Sequence, residues 1–375
     1  MPPPVVPIAA PHLSVDKLRT RLVEAQRLFK SAPVLTAGSA NTTSIVTIAA
    51  LDPASAQIHT MRLPKGTLLR KDAEMTLATS LGKTVRLRIL RPNYVNTAVA
   101  IYDTATDRSL TPLLIEYPIE KGGRYREMAY YTSAHPALIN SDLVRSGQSY
   151  VRTMLDLAAK RLKDKGVYIA PDLIDSAERL CMVEHVDHQR FLIEDRPALY
   201  EEIFALYALN QLDTYKYSVS TAGAGGMVQM IPATYQMLRR MHPGVGLNPD
   251  FVLGMRNHGN ALEAMLIYIN DTWNDLSYNS EVAYALATGL ATKAELVAAG
   301  YNSNPTRLPS YLQRGAASWR TLIPRETQMY LQIYSSVDKL IPMKPRKIEK
   351  AGAPPAVNAQ ATVLTPAVPQ ALPAM

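Results

Sequence analysis

The sequence predicts an α+β multidomain protein, in which a small all-β domain at residues 43–135 precedes an α-helical domain at residues 142–338. The first observation is that hydrophobic residues make up 47% of the 375 residues and charged residues 19%, which is enough apolar material for buried cores. The second observation is that the spacing of apolar residues changes along the chain. Partly alternating, β-branched segments give way to apolar residues at helical spacing from about Asp142 onward.

The β domain is predicted from short segments bounded by turn signals such as Asp-Pro, Pro-Lys-Gly and Lys-Gly-Gly. Their number and spacing favour a sandwich or a barrel. No catalytic constellation is visible in this domain. The predicted strands are residues 44–51, 56–63, 74–79, 84–90, 97–103 and 113–119.

The α-helical domain is predicted from apolar residues that recur every three to four positions, without a strand-rich segment between them. Its helix at residues 198–212 contains Tyr200, Phe204 and Tyr207, which we expect in the core. The other predicted helices are residues 143–164, 170–187, 232–241, 260–276, 280–288, 292–299 and 325–337.

Proline marks the ends of the chain. Of 27 prolines, five lie in residues 1–12 and seven in residues 342–375. We therefore expect a flexible Pro-rich start at residues 1–13 and a disordered Pro/Ala-rich tail at residues 344–375. Residues 14–42 are predicted to form a helix followed by a linker. The start has neither the basic region nor the apolar run of a secretory signal, so no signal peptide is recognised.

Composition limits the possible functions. The 40 Lys and Arg residues against 32 Asp and Glu residues give a net charge of +8, which favours polyanionic partners such as nucleic acid, anionic lipid or an acidic cell-wall polymer. The single cysteine, Cys181, excludes an internal disulfide and a multi-cysteine zinc site. No apolar run reaches the roughly 18 residues of a membrane span, so no transmembrane segment is expected.

A glycine-rich segment at residues 218–235 is the most informative part of the chain. Glycine removes the Cβ obstacle, so the backbone can approach a ligand or another helix closely. We expect Gln229 in the first turn of the helix that follows, where its amide can bind a polar ligand. A packing role and a binding role both fit this turn. No Gly-Lys-Ser/Thr follows, which excludes a phosphate loop.

The pattern Gly-Ala-x-Gly-x-x-Gln-x-x-Pro-x-Thr at residues 223–234 resembles the signature of the soluble lytic transglycosylases, relatives of goose-type lysozyme. Residues 167–191 resemble the family's catalytic helix, which ends in Glu. Residues 298–308 are similar to its Tyr-Asn-Ala-Gly-Pro element, and residues 324–334 to its Glu-Thr-x-x-Tyr helix. The resemblance covers roughly residues 165–338 and implies a lysozyme-like fold there.

The resemblance implies non-hydrolytic cleavage of the β-1,4 bond between MurNAc and GlcNAc in peptidoglycan, with a 1,6-anhydro-muramyl product. Glu184 would be the general acid and then the base. A glycosidic bond needs such an acid, with a raised pKa, on its leaving oxygen. No cofactor is implied. The implied substrate-binding residues are Gly223, Ala224, Gly226, Gln229, Met230, Tyr301, Asn302, Glu326 and Tyr330.

Three departures from the family pattern keep other assignments open. His185 follows Glu184 where Ser is usual, and 39 positions separate Glu184 from Gly223, many more than in the family. An extra helix at residues 196–214 explains the difference, and Glu201 and Glu202 on it are alternative acids. A catalytically inactive domain is a further alternative. The third departure lies at the Tyr-Asn element, where Gly300 is inserted before Tyr301 and Asn304 stands in place of the usual glycine.

Two other functions compete with this interpretation. One is a hydrolytic lysozyme-type muramidase that uses the same Glu184. The other is a non-catalytic module that binds glycan or a cell-envelope protein through the β domain. The spacing of His185 and His188 allows metal ligands on one helix face, but without His-Glu-x-x-His no metal site is predicted. We expect a periplasmic or cell-envelope location, peptidoglycan strands as the partner and no nucleic-acid partner.

Overall fold

The protein is described from a computed structural model that covers residues 13–31, 44–92, 97–121, 124–132, 135, 138–212 and 223–347. Both helices and a mainly antiparallel sheet are present, so the predicted α+β class is confirmed. Residues 1–12, the linker at 32–42 and residues 348–375 of the expected tail lie outside the described residues. No helix among the residues described is long and apolar enough to cross a bilayer.

Seven strands follow helix α1 (Val15–Ser31) and form one sheet in the order β2-β1-β6-β5-β4-β3, with β7 paired to β6. Strand β6 is 13 residues long and pairs with β5 at its start and with β1 and β7 further along, so it joins the two halves of the sheet. The strands are β1 (Ile45–Leu51), β2 (Ile58–Pro64), β3 (Glu74–Ala78), β4 (Thr84–Arg91), β5 (Ala98–Asp103), β6 (Ser109–Lys121) and β7 (Arg124–Tyr131).

The sheet curves around its own core. Strand β4 alternates buried and exposed residues, and Val85, Leu87 and Ile89 are the buried ones. This pattern arises because successive side chains of a strand point to opposite faces of the sheet. The far end of β3 approaches β2, where the Ser80 N–H donates to the Thr60 carbonyl at 2.8 Å. Each of the six predicted strands has a counterpart, and β7 is the strand that the sequence did not indicate.

Helices make up the second half of the chain. Helix α3 is buried on nearly every side, and α8 packs against both α2 and α3. Helices α4, α7 and α11 were not predicted, because each is short and carries little periodic signal. The helices are α2 (Ser141–Asp164), α3 (Pro171–Val183), α4 (His188–Ile193), α5 (Arg196–Leu209), α6 (Pro232–Met241), α7 (Phe251–Arg256), α8 (His258–Ser277), α9 (Ser280–Ala287), α10 (Lys293–Asn302), α11 (Leu308–Gly315) and α12 (Arg325–Leu340).

A shared apolar cluster joins the sheet to the helices. Phe29 of α1, Leu114 of β6 and Leu206 of α5 belong to it and are all buried. The Asn210 side chain stabilises this contact between the sheet and the helices with two hydrogen bonds. Its carbonyl oxygen accepts from the Thr132 N–H at 2.8 Å, and its amide donates to the Thr132 carbonyl at 2.7 Å. The extra helix predicted after Glu184 is α5, which supplies this contact.

The expectation of a disordered tail is wrong for residues 344–347. The Arg346 side chain is only 9% exposed and pairs with Asp156, Asp175 and Glu178, at 2.6, 2.8 and 2.6 Å. These three carboxylates lie on α2 and α3. A guanidinium with several charge-assisted hydrogen bonds holds a segment whose Pro-rich composition favours disorder. Composition could not reveal this, because the partners are some 170 to 190 residues away in sequence.

Candidate active site

Glu184 lies at the end of α3, directly after the last helical residue, and its N–H still donates to the Leu180 carbonyl at 3.0 Å. The four residues before it are fully or almost fully buried, whereas Glu184 itself is half-buried. The helix therefore places Glu184 at the edge of the core, where its carboxyl group is still largely desolvated. Pro171 at the first turn gives α3 a defined start.

Burial raises the pKa of Glu184 to about 8, since desolvation disfavours the charged carboxylate. The carboxylate of Glu326 raises this pKa further. The Tyr330 hydroxyl opposes both effects by donating to Glu184 Oε1 at 2.5 Å. Burial has the largest effect of the three, so Glu184 is mainly protonated at neutral pH. A carboxyl group that stays protonated at neutral pH has the proton that a general acid must donate.

The same pKa makes stability depend on pH. The folded protein keeps the proton on Glu184 up to about pH 8, whereas the unfolded chain releases it near its ordinary value of 4.5. The unfolded state thus binds fewer protons within this window, and the free energy of unfolding should fall as the pH rises through it. Glu184→Gln should lack this loss, so its stability relative to wild type should rise from pH 5 to pH 8. Urea unfolding at several pH values measures the difference. A constant difference would contradict the raised pKa.

Removing the Tyr330 hydroxyl should raise the pKa of Glu184 further. The hydroxyl stabilises the carboxylate, so Tyr330→Phe favours the protonated form. NMR titration of the glutamate side-chain carboxyls measures this shift. Tyr301→Phe is the matched control, because the Tyr301 hydroxyl donates to the Val228 carbonyl instead. An unchanged titration of Glu184 in Tyr330→Phe would mean that the short hydrogen bond does not form.

Three side chains hold the glycine-rich turn against Glu184. The Met227 carbonyl accepts from His185 Nε2 at 3.0 Å and from the Tyr207 hydroxyl at 3.3 Å. Tyr207 also donates to the Cys181 carbonyl at 2.6 Å, and Tyr301 donates to the Val228 carbonyl at 2.7 Å. The turn and the end of α3 are thus fixed relative to each other, although residues 213–222 between them lie outside the described part of the chain.

The turn itself closes with the Gly225 N–H donating to the Met230 carbonyl at 3.0 Å. Gln229 lies in this turn at φ +47° and not in the first turn of α6, as we had expected. Its amide donates to the Gly226 carbonyl at 2.7 Å, which stabilises the turn. Gly223 is exposed and Ala224 is half-buried, so both remain available to a ligand.

Three of the expected binding residues are buried in the core, namely Gly226, Met230 and Tyr330, of which Tyr330 is 3% exposed. Gly226 is buried at φ +71°, and a Cβ there would lie 2.5 Å from the Met255 carbonyl oxygen. A side chain at Gly226 therefore disturbs packing before it obstructs a ligand. Met230 is 4% exposed and belongs to the helical core. The sequence around Gly226 and Met230 was compatible with a core position and with a ligand-binding position. Small or flexible side chains are favoured in a ligand cleft and also where two backbone segments pack closely.

Tyr301 and Asn302 are the last two residues of α10, not part of a loop. The Asn302 side-chain oxygen accepts from Thr327 on α12 at 2.8 Å. Glu326 begins the face of α12 that also carries Tyr330, and it is exposed. The structure brings Glu326, Tyr330 and Tyr301 near Glu184, because Tyr330 donates to it, Glu326 raises its pKa, and Glu184 in turn raises the pKa of Tyr301.

The alternative acids do not have this environment. Glu202 is buried and ion-paired with Arg91 and with Arg190, the latter at 2.7 Å. Two guanidinium groups stabilise the charged carboxylate, so Glu202 is unsuited to donate a proton. Glu201 is exposed on the same helix. Among the residues that the structure describes, no group of three or more His, Cys, Asp or Glu side chains could hold a metal ion.

Sequence reasoning missed Tyr207 and His185 as residues that position the site. Tyr207 is fully buried, as we had expected of a core residue, but its hydroxyl contacts two backbone carbonyls beside Glu184. The Tyr207 hydroxyl on an otherwise apolar helix was the sequence feature that could have revealed this role, because a buried tyrosine hydroxyl usually has a hydrogen-bond partner. His185 packs edge-on against the Tyr207 ring at 5.6 Å.

No family model, curated protein or solved structure matches this chain.

Proposed function

We propose that this protein is a lytic transglycosylase that cleaves the β-1,4 bond between MurNAc and GlcNAc in peptidoglycan. The observation that carries the proposal is the Glu184 carboxyl, which lies at the end of α3, has a pKa of about 8 and accepts from Tyr330. The resemblance of residues 165–338 to the soluble lytic transglycosylases supplies the substrate. It also supplies a lysozyme-like fold for the helical domain, which is part of this proposal.

The reaction begins with proton transfer from Glu184 to the oxygen that links MurNAc to the leaving GlcNAc. The bond to C1 of MurNAc breaks, and the N-acetyl group of the same sugar assists at the carbon that becomes positive. The Tyr330 hydroxyl stabilises the carboxylate that Glu184 has become. This carboxylate then accepts the proton of the muramyl 6-hydroxyl as its oxygen attacks C1. The anhydro ring closes, and Glu184 is protonated again.

A hydrolytic muramidase is the second candidate, and the exposed carboxylate of Glu326 is the observation that favours it. Glu326 is near enough to raise the pKa of Glu184. A second carboxylate beside the acid is the arrangement of hydrolytic glycosidases, in which it activates water or acts as the nucleophile. Both candidates require Glu184 and differ in what attacks C1.

Digestion of purified peptidoglycan sacculi in water enriched in oxygen-18 tests the proposal. Transglycosylation should release muropeptides that are one water lighter than reducing-end products and that carry no oxygen-18. Hydrolysis should give reducing ends labelled with oxygen-18. Wild-type protein that releases no soluble muropeptide would overturn both candidates.

The substrate requires a cell-envelope or periplasmic location, where we propose that this protein acts, with the β domain free to bind an envelope partner. Cell fractionation with an antibody against the native protein checks the location. Native protein found solely with cytoplasmic markers would contradict a role in the cell wall.

A further inference from the structure

A groove of about 660 Å³ lies between α12, the region where α4 meets α5, and the 3₁₀ helix Ala316–Thr321. Four of the α12 residues that line it lie on the side of the helix opposite Tyr330, at about 3.6 residues per turn. The groove is therefore separate from the site around Glu184. These four residues are Gln328, Gln332, Ser335 and Lys339.

Positive charge dominates the groove. Arg196, Arg320 and Lys339 line it, together with the carboxylate of Glu295. Glu295 is paired with Arg320 at 2.6 Å. Arg196 and Lys339 are exposed, and neither has a carboxylate partner among the described residues. Two cations thus remain to attract an anionic ligand.

The two guanidinium groups are already positioned. Arg196 lies over the Phe191 ring, with 4.4 Å between the guanidinium carbon and the ring centroid. Arg320 lies over the Trp319 ring at 4.8 Å and is held by Glu295 as well. A guanidinium that is stacked in place loses less freedom on binding. Its planar donors match a carboxylate in two parallel hydrogen bonds.

The remaining walls suit a peptide better than a simple anion. Leu340 is 46% exposed and gives the groove an apolar end, whereas Leu331 is buried beneath it. The Gln328 amide donates to the Ile323 carbonyl at 2.9 Å, and exposed Gln332 and Ser335 add groups that both donate and accept. A peptide backbone needs donors and acceptors together, and the volume lies within the range of small-ligand sites.

We propose that the α12 groove binds a short acidic peptide, whose carboxylates pair with Arg196 and Lys339 and whose apolar side chain packs on Leu340. This proposal does not depend on the proposed cleavage of peptidoglycan. It adds a second binding site on the side of α12 that faces away from Glu184.

Isothermal titration calorimetry tests the groove with an acetylated tetrapeptide of alternating leucine and glutamate. The double variant Arg196→Gln/Lys339→Gln should bind this peptide about tenfold more weakly, the loss expected for two partly exposed charge pairs. Both side chains are exposed, so the fold should persist. The matched control is Arg145→Gln/Lys160→Gln, which removes two exposed charges from α2 outside the groove. The control should bind within about twofold of wild type, and added salt should weaken binding of the peptide.

Three results would overturn the proposal. Wild-type protein that gives no heat with the peptide would mean that the groove has no such ligand. Equal affinity for the same peptide with glutamine in place of glutamate would exclude the charge pairing. Tripolyphosphate that binds more tightly than the peptide and loses affinity in the groove variant would assign the site to phosphate.

Discussion

Glu184→Gln should release soluble muropeptides at least about a hundredfold more slowly than wild type, the lower range for loss of a general acid. The amide keeps the size of the side chain and can still accept from the Tyr330 hydroxyl, so the site should keep its geometry. It cannot donate a proton of comparable acidity to the leaving oxygen. Release of muropeptides from sacculi, measured by chromatography, gives the rate. Circular dichroism of the same sample checks the fold.

Glu326→Gln is the matched control, because it changes the neighbouring carboxylate without removing the acid. Under transglycosylation it should retain most of the activity, since the attacking group belongs to the substrate. Under hydrolysis, with Glu326 acting on water or on C1, it should be nearly inactive. Turnover of Glu184→Gln close to that of wild type would show that the acid is another residue, and Glu201 would be the next candidate.

The fold was predictable where the local signal is long and periodic. Helix α2 repeats its apolar residues over 24 positions, and β4 alternates cleanly, so both are visible in the sequence. Helix α4 has six residues and β7 carries Tyr, Arg and Glu beside few aliphatic residues, so neither gives a period. The anchoring of Arg346 depends on α2 and α3 being adjacent, which is a property of the tertiary structure.

The candidate site was predictable in part for the same reason. A Glu at the end of an apolar helix suggests a desolvated acid, and the raised pKa of Glu184 agrees with this prediction. The partner Tyr330 is 146 positions away, and the resemblance alone indicated it. The sequence could not show whether Gly226 lines a ligand cleft or lies in a packed turn. The answer depends on the position of Met255 in the fold, which no local sequence pattern indicates.

Gly226→Ala should destabilise the protein by about 2–5 kcal/mol. A residue with a Cβ at φ +71° loses roughly 1–2 kcal/mol relative to glycine. The Cβ would also lie 2.5 Å from the Met255 carbonyl oxygen, and overpacking of a core typically adds about 1–3 kcal/mol. The carbonyl belongs to the backbone of α7, so it cannot move aside as a flexible side chain would. Urea unfolding followed by the helical signal measures the loss.

Gly246→Ala separates the two contributions. Gly246 has φ +70°, and no described atom lies within 4 Å of a Cβ built there, so this variant should lose only the roughly 1–2 kcal/mol of backbone strain. Gly226→Ala should therefore be less stable than Gly246→Ala by about 1–3 kcal/mol. If the two variants unfold at the same urea concentration, the turn does not pack against α7. A stable Gly226→Ala protein that binds glycan poorly would then return Gly226 to the ligand-binding surface.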